Sequence, residues 1–138
     1  MRASRAFLAV ALVVAGVSCG GSRQFVLQGS DRAPGADGQV LIETQEGGNF
    51  LVSVTVANLL PPARLSEGLT TYVVWFQPPE QTAQRVGLLN YNEEDRTGQM
   101  SATTAVTAFE IVISGETAPD VAAPSEFVAF RATVQAPE

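Results

Sequence analysis

The chain has 138 residues, 46% hydrophobic and 16% charged, with 8 Lys+Arg against 14 Asp+Glu, 1 Cys and no His, which is the size of one domain. All eight basic residues are Arg, so an imidazole base, a Schiff-base amine and a phosphate-loop lysine are all excluded. A formal charge of −6 argues against nucleic acid or any other polyanion as a partner, and a lone cysteine excludes an intramolecular disulfide.

The first five residues carry Arg2 and Arg5 and no acid; the apolar run 6–15 follows, then Gly16-Val17-Ser18-Cys19. A charged start, a short apolar stretch and small residues at its end make a secretory signal peptide over residues 1–18. The run is shorter than the roughly 20 apolar residues a membrane-spanning helix needs. Val17-Ser18-Cys19 followed by Gly20-Gly21-Ser22 resembles the lipobox of bacterial lipoproteins, which implies that Cys19 is the acylated first residue of the mature chain and residues 19–23 a tether to the membrane. Gly16 stands where that family usually has Leu, and cleavage by the ordinary signal peptidase before Cys19 is the competing outcome. Gly20 is not the Asp of an inner-membrane retention signal, so the resemblance implies the outer membrane. Removing residues 1–18 leaves 120 residues with six Arg and all 14 acids.

From residue 24 onward the hydrophobic pattern has period two, the signature of strands. Residues 24–28 and 39–44 are weak strand candidates. In residues 49–58, Phe50, Val52, Val54 and Val56 share one face, and Ser53, Thr55 and Ala57 share the other. Residues 70–77 are apolar on both faces, which predicts a central strand covered on both sides or one whose outer face is capped by a loop. Residues 85–91 and 99–104 are again weaker. Residues 109–114 and 127–135 alternate, with Phe109, Ile111 and Ile113, then Val128, Phe130, Ala132 and Val134, expected to point inward. Turn residues separate these runs at Pro34-Gly35, Asp37-Gly38, Gly47-Gly48-Asn49, Pro61-Pro62, Pro78-Pro79, Thr97-Gly98 and across residues 115–125. The spacing predicts an all-β fold over residues 24–138: an antiparallel, immunoglobulin-like β-sandwich of seven or eight strands with Greek-key connections.

Gly48-Asn49 before a strand, Leu60-Pro61-Pro62, Tyr72-Val73-Val74-Trp75, Gly87 in a hairpin and Ala108 to Ser114 followed by Gly115-Glu116 occur in an order that resembles the extracytoplasmic domain of the anti-sigma-K factor family. The resemblance implies an outside-facing β-sandwich that serves as a sensor or interaction module. It does not carry sigma-factor inhibition, because a signal peptide and a lipid-anchor cysteine stand where that family has its sigma-binding segment and transmembrane helix.

Two constellations are candidate sites. Tyr72, Trp75 and Tyr91 with Phe76 are the main aromatic concentration, and on a surface they would stack on a glycan or a protein partner; inside, they are core residues of a central strand. Asn90, Asn92, Glu93, Glu94 and Asp95 form an oxygen-rich hairpin that would suit Ca²⁺. Their spacing departs from the EF-hand loop, with no Gly at the sixth position and no Glu at the twelfth, and a solvated turn is the simpler account of them. No motif calls for a cofactor, and no acid pair is placed for hydrolysis. The expectation is a non-catalytic lipoprotein of the cell envelope, held to the membrane through Cys19, with an envelope protein as partner. The alternative is a soluble secreted or periplasmic domain that binds Ca²⁺ or a glycan.

Overall fold

An extended chain whose side chains alternate apolar and polar has one face that must leave water, and two such sheets satisfy each other by packing face to face. A computed structural model describes residues 21–138; residues 1–18, expected to be a signal peptide, and Cys19 lie outside the described residues. All eight candidate runs are strands, and one of them divides, so nine strand segments are present among the described residues: β1 Ser22–Gln28, β2 Asp37–Thr44, β3 Phe50–Ala57, β4 Thr71–Gln77, β5 Gln84–Leu88, β6 Asn90–Asn92, β7 Thr97–Thr104, β8 Ala108–Glu116 and β9 Val128–Gln135. They form a five-stranded sheet, β1-β2-β3-β7-β6, and a four-stranded sheet, β5-β4-β8-β9, antiparallel at every pairing. Strands β2-β3-β7-β6 and β4-β8-β9 stand in the A-B-E-D and C-F-G order of immunoglobulin domains, with β1 added outside the first sheet and β5 outside the second.

The inter-sheet core takes alternate residues from each strand. Val40 and Ile42 of β2, Val52 and Val54 of β3, Tyr72 and Val74 of β4, Ile111 and Ile113 of β8 and Phe130 and Val134 of β9 are almost fully buried in one cluster. The opposite residues of the five-stranded sheet, such as Thr55, Gln99 and Ser101, face water. One pairing irregularity alters the expected alternation. The ladder of β8 and β9 shifts between Ile113 and Ser114, which pair with Phe130 and Val128. This bulge places Ala129 in the inter-sheet core and turns Val128 to the outer side of the four-stranded sheet, against Val73, Trp75 and Val112, whereas strict alternation pointed Val128 inward.

The run 85–91 is one strand in sequence and two in space. Strand β5 pairs with β4, the chain crosses at Leu89, and β6 pairs with β7 in the other sheet. Leu89 is buried, at 4% exposure, and its N–H donates to the Tyr72 carbonyl at 3.0 Å, so the crossing point is itself part of the core. The consecutive apolar pair Leu88-Leu89 is the sequence trace of this crossing, because it breaks the alternation.

The two lateral sides of the sandwich differ. On the β1/β9 side the Ser30 N–H donates to Ala129 O at 2.8 Å, the Ser30 hydroxyl donates to Val128 O at 2.6 Å, and the Arg32 guanidinium lies over the Phe127 ring at 4.8 Å. The turn that brings Ser30 there is closed by Gly29 N–H to Ala36 O at 2.7 Å. A Cβ on Gly29 would fall 2.0 Å from Ala33 O, so this position requires glycine. No such lacing joins β5 to β7 among the described residues.

Strand directions also give the sandwich two distinct ends. Gly21, whose carbonyl accepts the Thr44 N–H at 3.2 Å, lies with the 45–49 and 78–83 turns and the C-terminal residues at one end. Residues 29–36, 58–70, 93–96 and 117–127 lie at the other.

The in-and-out assignment gives a direct stability test. Ile111→Ala removes a fully buried side chain and is expected to lower unfolding free energy by about 2–5 kcal/mol. Val26→Ala, at a position 74% exposed, should change it by no more than about 0.5 kcal/mol. Urea denaturation of both variants checks the register, and equal losses would contradict it.

Candidate functional site

Strand β4 carries the sequence's aromatic cluster, and its alternation sends the aromatics in different directions. Tyr72 and Phe76 enter the inter-sheet core, while Trp75 lies on the opposite face with Val73 and Val112. That outer face is not open. Ala83, Val121 and Val128 pack over it, and Trp75 is 0% exposed. The two-sided apolar strand is therefore central to its sheet and also roofed by a loop, residues 117–127.

Polar contacts fix the roof. The Trp75 indole N–H donates to Ser114 Oγ at 2.8 Å, and the Ser114 hydroxyl donates to Glu116 Oε2 at 2.5 Å. The same carboxylate oxygen accepts the Ser125 N–H at 2.8 Å, and the Ser125 hydroxyl donates to Gly115 O at 2.7 Å. Arg85 Nη1 donates to Pro119 O at 2.8 Å and the Thr70 hydroxyl to Thr117 O at 3.0 Å. Glu116 is 4% exposed, and a carboxylate so placed is tolerated because both hydrogen-bond donors face it. The chain from indole to serine to carboxylate to loop backbone was not read from the sequence. Its one trace is the placement of Ser114 and Glu116, polar residues that follow the apolar run Ile111-Val112-Ile113 at the end of β8.

The second polar system surrounds the two tyrosines. The Tyr72 hydroxyl donates to Leu60 O at 2.5 Å and the Tyr91 hydroxyl to Leu59 O at 2.5 Å; the rings meet edge to face at 5.4 Å between centroids. Two successive carbonyls of the connection between β3 and β4 are thus held from opposite sheets. Burial pushes the Tyr72 phenol well above its ordinary pKa of 10.0, and the neighbouring Tyr91 acts in the same direction. Tyr91 is raised as well, by burial first and by Glu93 second, with Arg96 opposing.

Of the aromatic candidates, Tyr91 alone keeps a partly exposed surface; Tyr72 and Trp75 have none. Tyr91, Asn90 and Glu93 line two adjoining open depressions. One, of about 640 Å³, adds Asn92, Thr97, Gly98, Gln99, Thr55 and Val56. The other, of about 550 Å³, adds Pro62, Thr70, Thr71, Tyr72, Leu88 and Leu89. Asn90 and Asn92 belong to β6 and pair with Gln99 and Thr97. Glu93, Glu94 and Asp95 form the exposed turn to β7, where Asn92 Oδ1 accepts the Asp95 N–H at 3.2 Å. Among the described residues no three His, Cys, Asp or Glu side chains converge as a metal site. The arrangement offers amide, hydroxyl and carboxylate groups beside one aromatic edge.

The protein is an antiparallel β-sandwich of two sheets. No family model, curated protein or solved structure matches the chain. Among the described residues no helix is long and apolar enough to cross a membrane.

Two predictions follow from the polar systems. Trp75 is the sole tryptophan, so its emission reports the roof. Glu116→Ala leaves the Ser125 N–H and the Ser114 hydroxyl without their acceptor, with an expected cost of about 1–3 kcal/mol and a red-shifted Trp75 emission; unchanged emission would show that the loop is held by apolar contact alone. For Tyr72, a phenol whose folded pKa is raised contributes stability that is fully present below its unfolded value of 10.0 and is lost as pH rises above it, because the unfolded state ionises first. Unfolding free energy should therefore fall above about pH 10, and Tyr72→Phe, although less stable at neutral pH, should show a shallower alkaline decline in urea denaturation followed across that range.

Proposed function

We propose that the chain is a non-catalytic lipoprotein of the cell envelope, acylated at Cys19 and held at the outer membrane on its periplasmic or cell-surface side, whose sandwich is a structural or protein-interaction module. The observation that carries this reading is the position of Gly21. Its carbonyl accepts hydrogen bonds from the Thr44 N–H at 3.2 Å and from the Thr44 hydroxyl at 3.3 Å, so the chain is fixed to β2 two residues after Cys19 and β1 begins at the next residue, Ser22. At about 3.3–3.6 Å per extended residue, an acyl chain on Cys19 would hold this end of the sandwich against the bilayer. The depressions around Tyr91 and the acidic turn would then lie at the end turned away from the lipid. The absence of His and Lys from the sequence supports a role in recognition over one in catalysis. The resemblance of the Tyr72 to Trp75 strand and its neighbouring motifs to the anti-sigma-K extracytoplasmic domain favours the same class, an outside-facing sensor or interaction domain.

A second reading, a soluble secreted or periplasmic domain that binds Ca²⁺ or a glycan, draws on the two depressions that share Asn90, Tyr91 and Glu93. Their polar lining suits a small hydrated ligand, and the acids at residues 93–95 suit a cation.

Intact mass of the protein recovered from the host membrane fraction separates the two. The lipoprotein reading expects a species that begins at Cys19, carries added acyl mass and disappears in Cys19→Ala. An unmodified soluble species would overturn it. Thermal unfolding with millimolar Ca²⁺ completes the comparison: a raised midpoint would favour the second reading, and an unchanged one would remove its metal branch.

A further inference from the structure

Crossing between sheets at Leu89 leaves β6 only three residues long, paired with residues 97–99 of β7. Strand β7 continues to Thr104 and, among the described residues, is paired along that length only with β3, through Val54 to Met100, Ser53 to Ser101, Val52 to Ala102, Leu51 to Thr103 and Phe50 to Thr104. Residues 100–104 therefore have one laddered edge and one free edge, whose N–H and C=O groups lie in the plane of the sheet. An open depression of about 500 Å³ lies where β6 stops, lined by Ser53, Val54, Thr55, Asn90, Gln99, Met100 and Ser101.

Side chains beside this edge are incompletely covered. Met100 and Ala102 point inward and are half-buried, whereas Val54 and Val52, their partners on β3, are at 1% and 0% exposure. Val86 of β5, across the opening, is likewise half-buried against the core. Among the described residues, β6 offers an edge of only three residues, and the longer free edges carry a guard. Strand β1 has Arg23, β5 has Arg85 beside Gly87 and a pairing shift with β4, and β9 has Arg131 and is partly covered through Ser30. Such charges and bulges keep exposed edges from pairing. Residues 100–104, Met-Ser-Ala-Thr-Thr, contain no charge, proline or glycine.

We propose that residues 100–104 of β7 are a strand-addition site that accepts an extended, neutral or basic segment of a partner protein, alternate apolar side chains of which fill the opening between β5 and β7. Main-chain pairing dictates the extended conformation. Half-buried Val86, Met100 and Ala102 call for apolar residues at every second position. The six Arg and 14 acids that follow residue 18 favour a neutral or basic strand over a second copy of this chain, which brings the same negative charge. The inference rests on the interaction-module reading and is independent of acylation.

The test is amide hydrogen exchange of the mature protein, as recovered from its host, with and without the probe peptide acetyl-Arg-Thr-Val-Thr-Val-Thr-Arg-amide. Exchange at residues 100–104 should slow about tenfold or more at saturating peptide, with the edges of β1, β5 and β9 unchanged. The double substitution Ser101→Lys with Thr103→Lys, at two exposed positions, should abolish the slowing while leaving the thermal midpoint within a few degrees. Unchanged exchange throughout the chain overturns the site and the interaction reading together. Slowing confined to residues 90–96 overturns the site alone and leaves that reading standing. Slow exchange at residues 100–104 without peptide, rising with protein concentration alongside a doubled mass, overturns the partner strand and makes a second copy the occupant.

Discussion

Strand β4 is apolar on both faces, and burying both is the constraint on which the rest of the molecule depends. Tyr72, Val74 and Phe76 require a second sheet on one side, which the five-stranded sheet supplies through Val40, Ile42, Val52 and Val54. Val73 and Trp75 require cover on the other side, where no third sheet exists among the described residues. Burying each such side chain is worth about 1.5–3 kcal/mol, which offsets part of the entropy lost when a long surface loop is fixed. The loop at residues 117–127 therefore folds over the sheet, and its polar backbone creates a second demand, met by Glu116, Ser114 and Ser125. The buried carboxylate is best understood as a consequence of the roof.

The tyrosine pair resolves a related problem at the end of the sandwich. The connection between β3 and β4 must pass from one sheet to the other, and its backbone carbonyls would otherwise approach the apolar interior unpaired. Tyr72 from one sheet and Tyr91 from the other donate to Leu60 O and Leu59 O, and the Leu59 N–H reaches Arg96 O at 3.0 Å. An aromatic ring fills core volume while its hydroxyl serves the backbone, and this dual capacity explains why tyrosine occupies both positions. It also explains why the aromatic concentration in the sequence is largely internal: of its members, Tyr91 retains a share of surface because β6 is a short strand at the sheet margin.

Much of this was legible before any coordinates. Hydrophobic patterning located all eight extended runs, four of them only weakly, and the two apolar faces of residues 70–77 required cover on both sides, by a central position or by a capping loop; the structure uses both. What stayed hidden were relations between distant residues. Val128 faces outward because the β8–β9 ladder shifts at Ile113 and Ser114, and a bulge has no local signature when neither partner is glycine. The division of residues 85–91 into β5 and β6 reflects a choice of partner strand, visible in the sequence only as the doublet Leu88-Leu89. For the candidate site, the acidic turn at residues 93–95 could be located, but the half-exposure of Tyr91 depends on β6 lying at the sheet margin, and the burial of Trp75 on the outer face of its sheet depends on which segment becomes the roof. The signal segment 1–18 and Cys19 stand apart, since their reading rests on pattern and lies outside the described residues.

The two lateral sides of the sandwich are closed unequally. On one lateral side, Ser30, Arg32 and the 29–36 turn lace the two sheets together, so that margin is already closed by the chain itself. On the other, a strand that begins in the four-stranded sheet and ends in the five-stranded sheet cannot serve as a full edge for either. The cost of the crossing is borne by β7, which keeps unpaired backbone, and by Met100, Ala102 and Val86, which keep unfilled contacts. Leu89 makes the crossing stable by burying its side chain and donating to Tyr72 O, so the opening is enforced by the core and is not a fraying margin. Backbone groups at such an edge are satisfied by water in the isolated chain, which makes their exchange for another strand nearly neutral in hydrogen bonding and favourable in apolar burial. Affinity at this margin would accordingly come from the side chains that enter the opening, and the main chain would set direction and register.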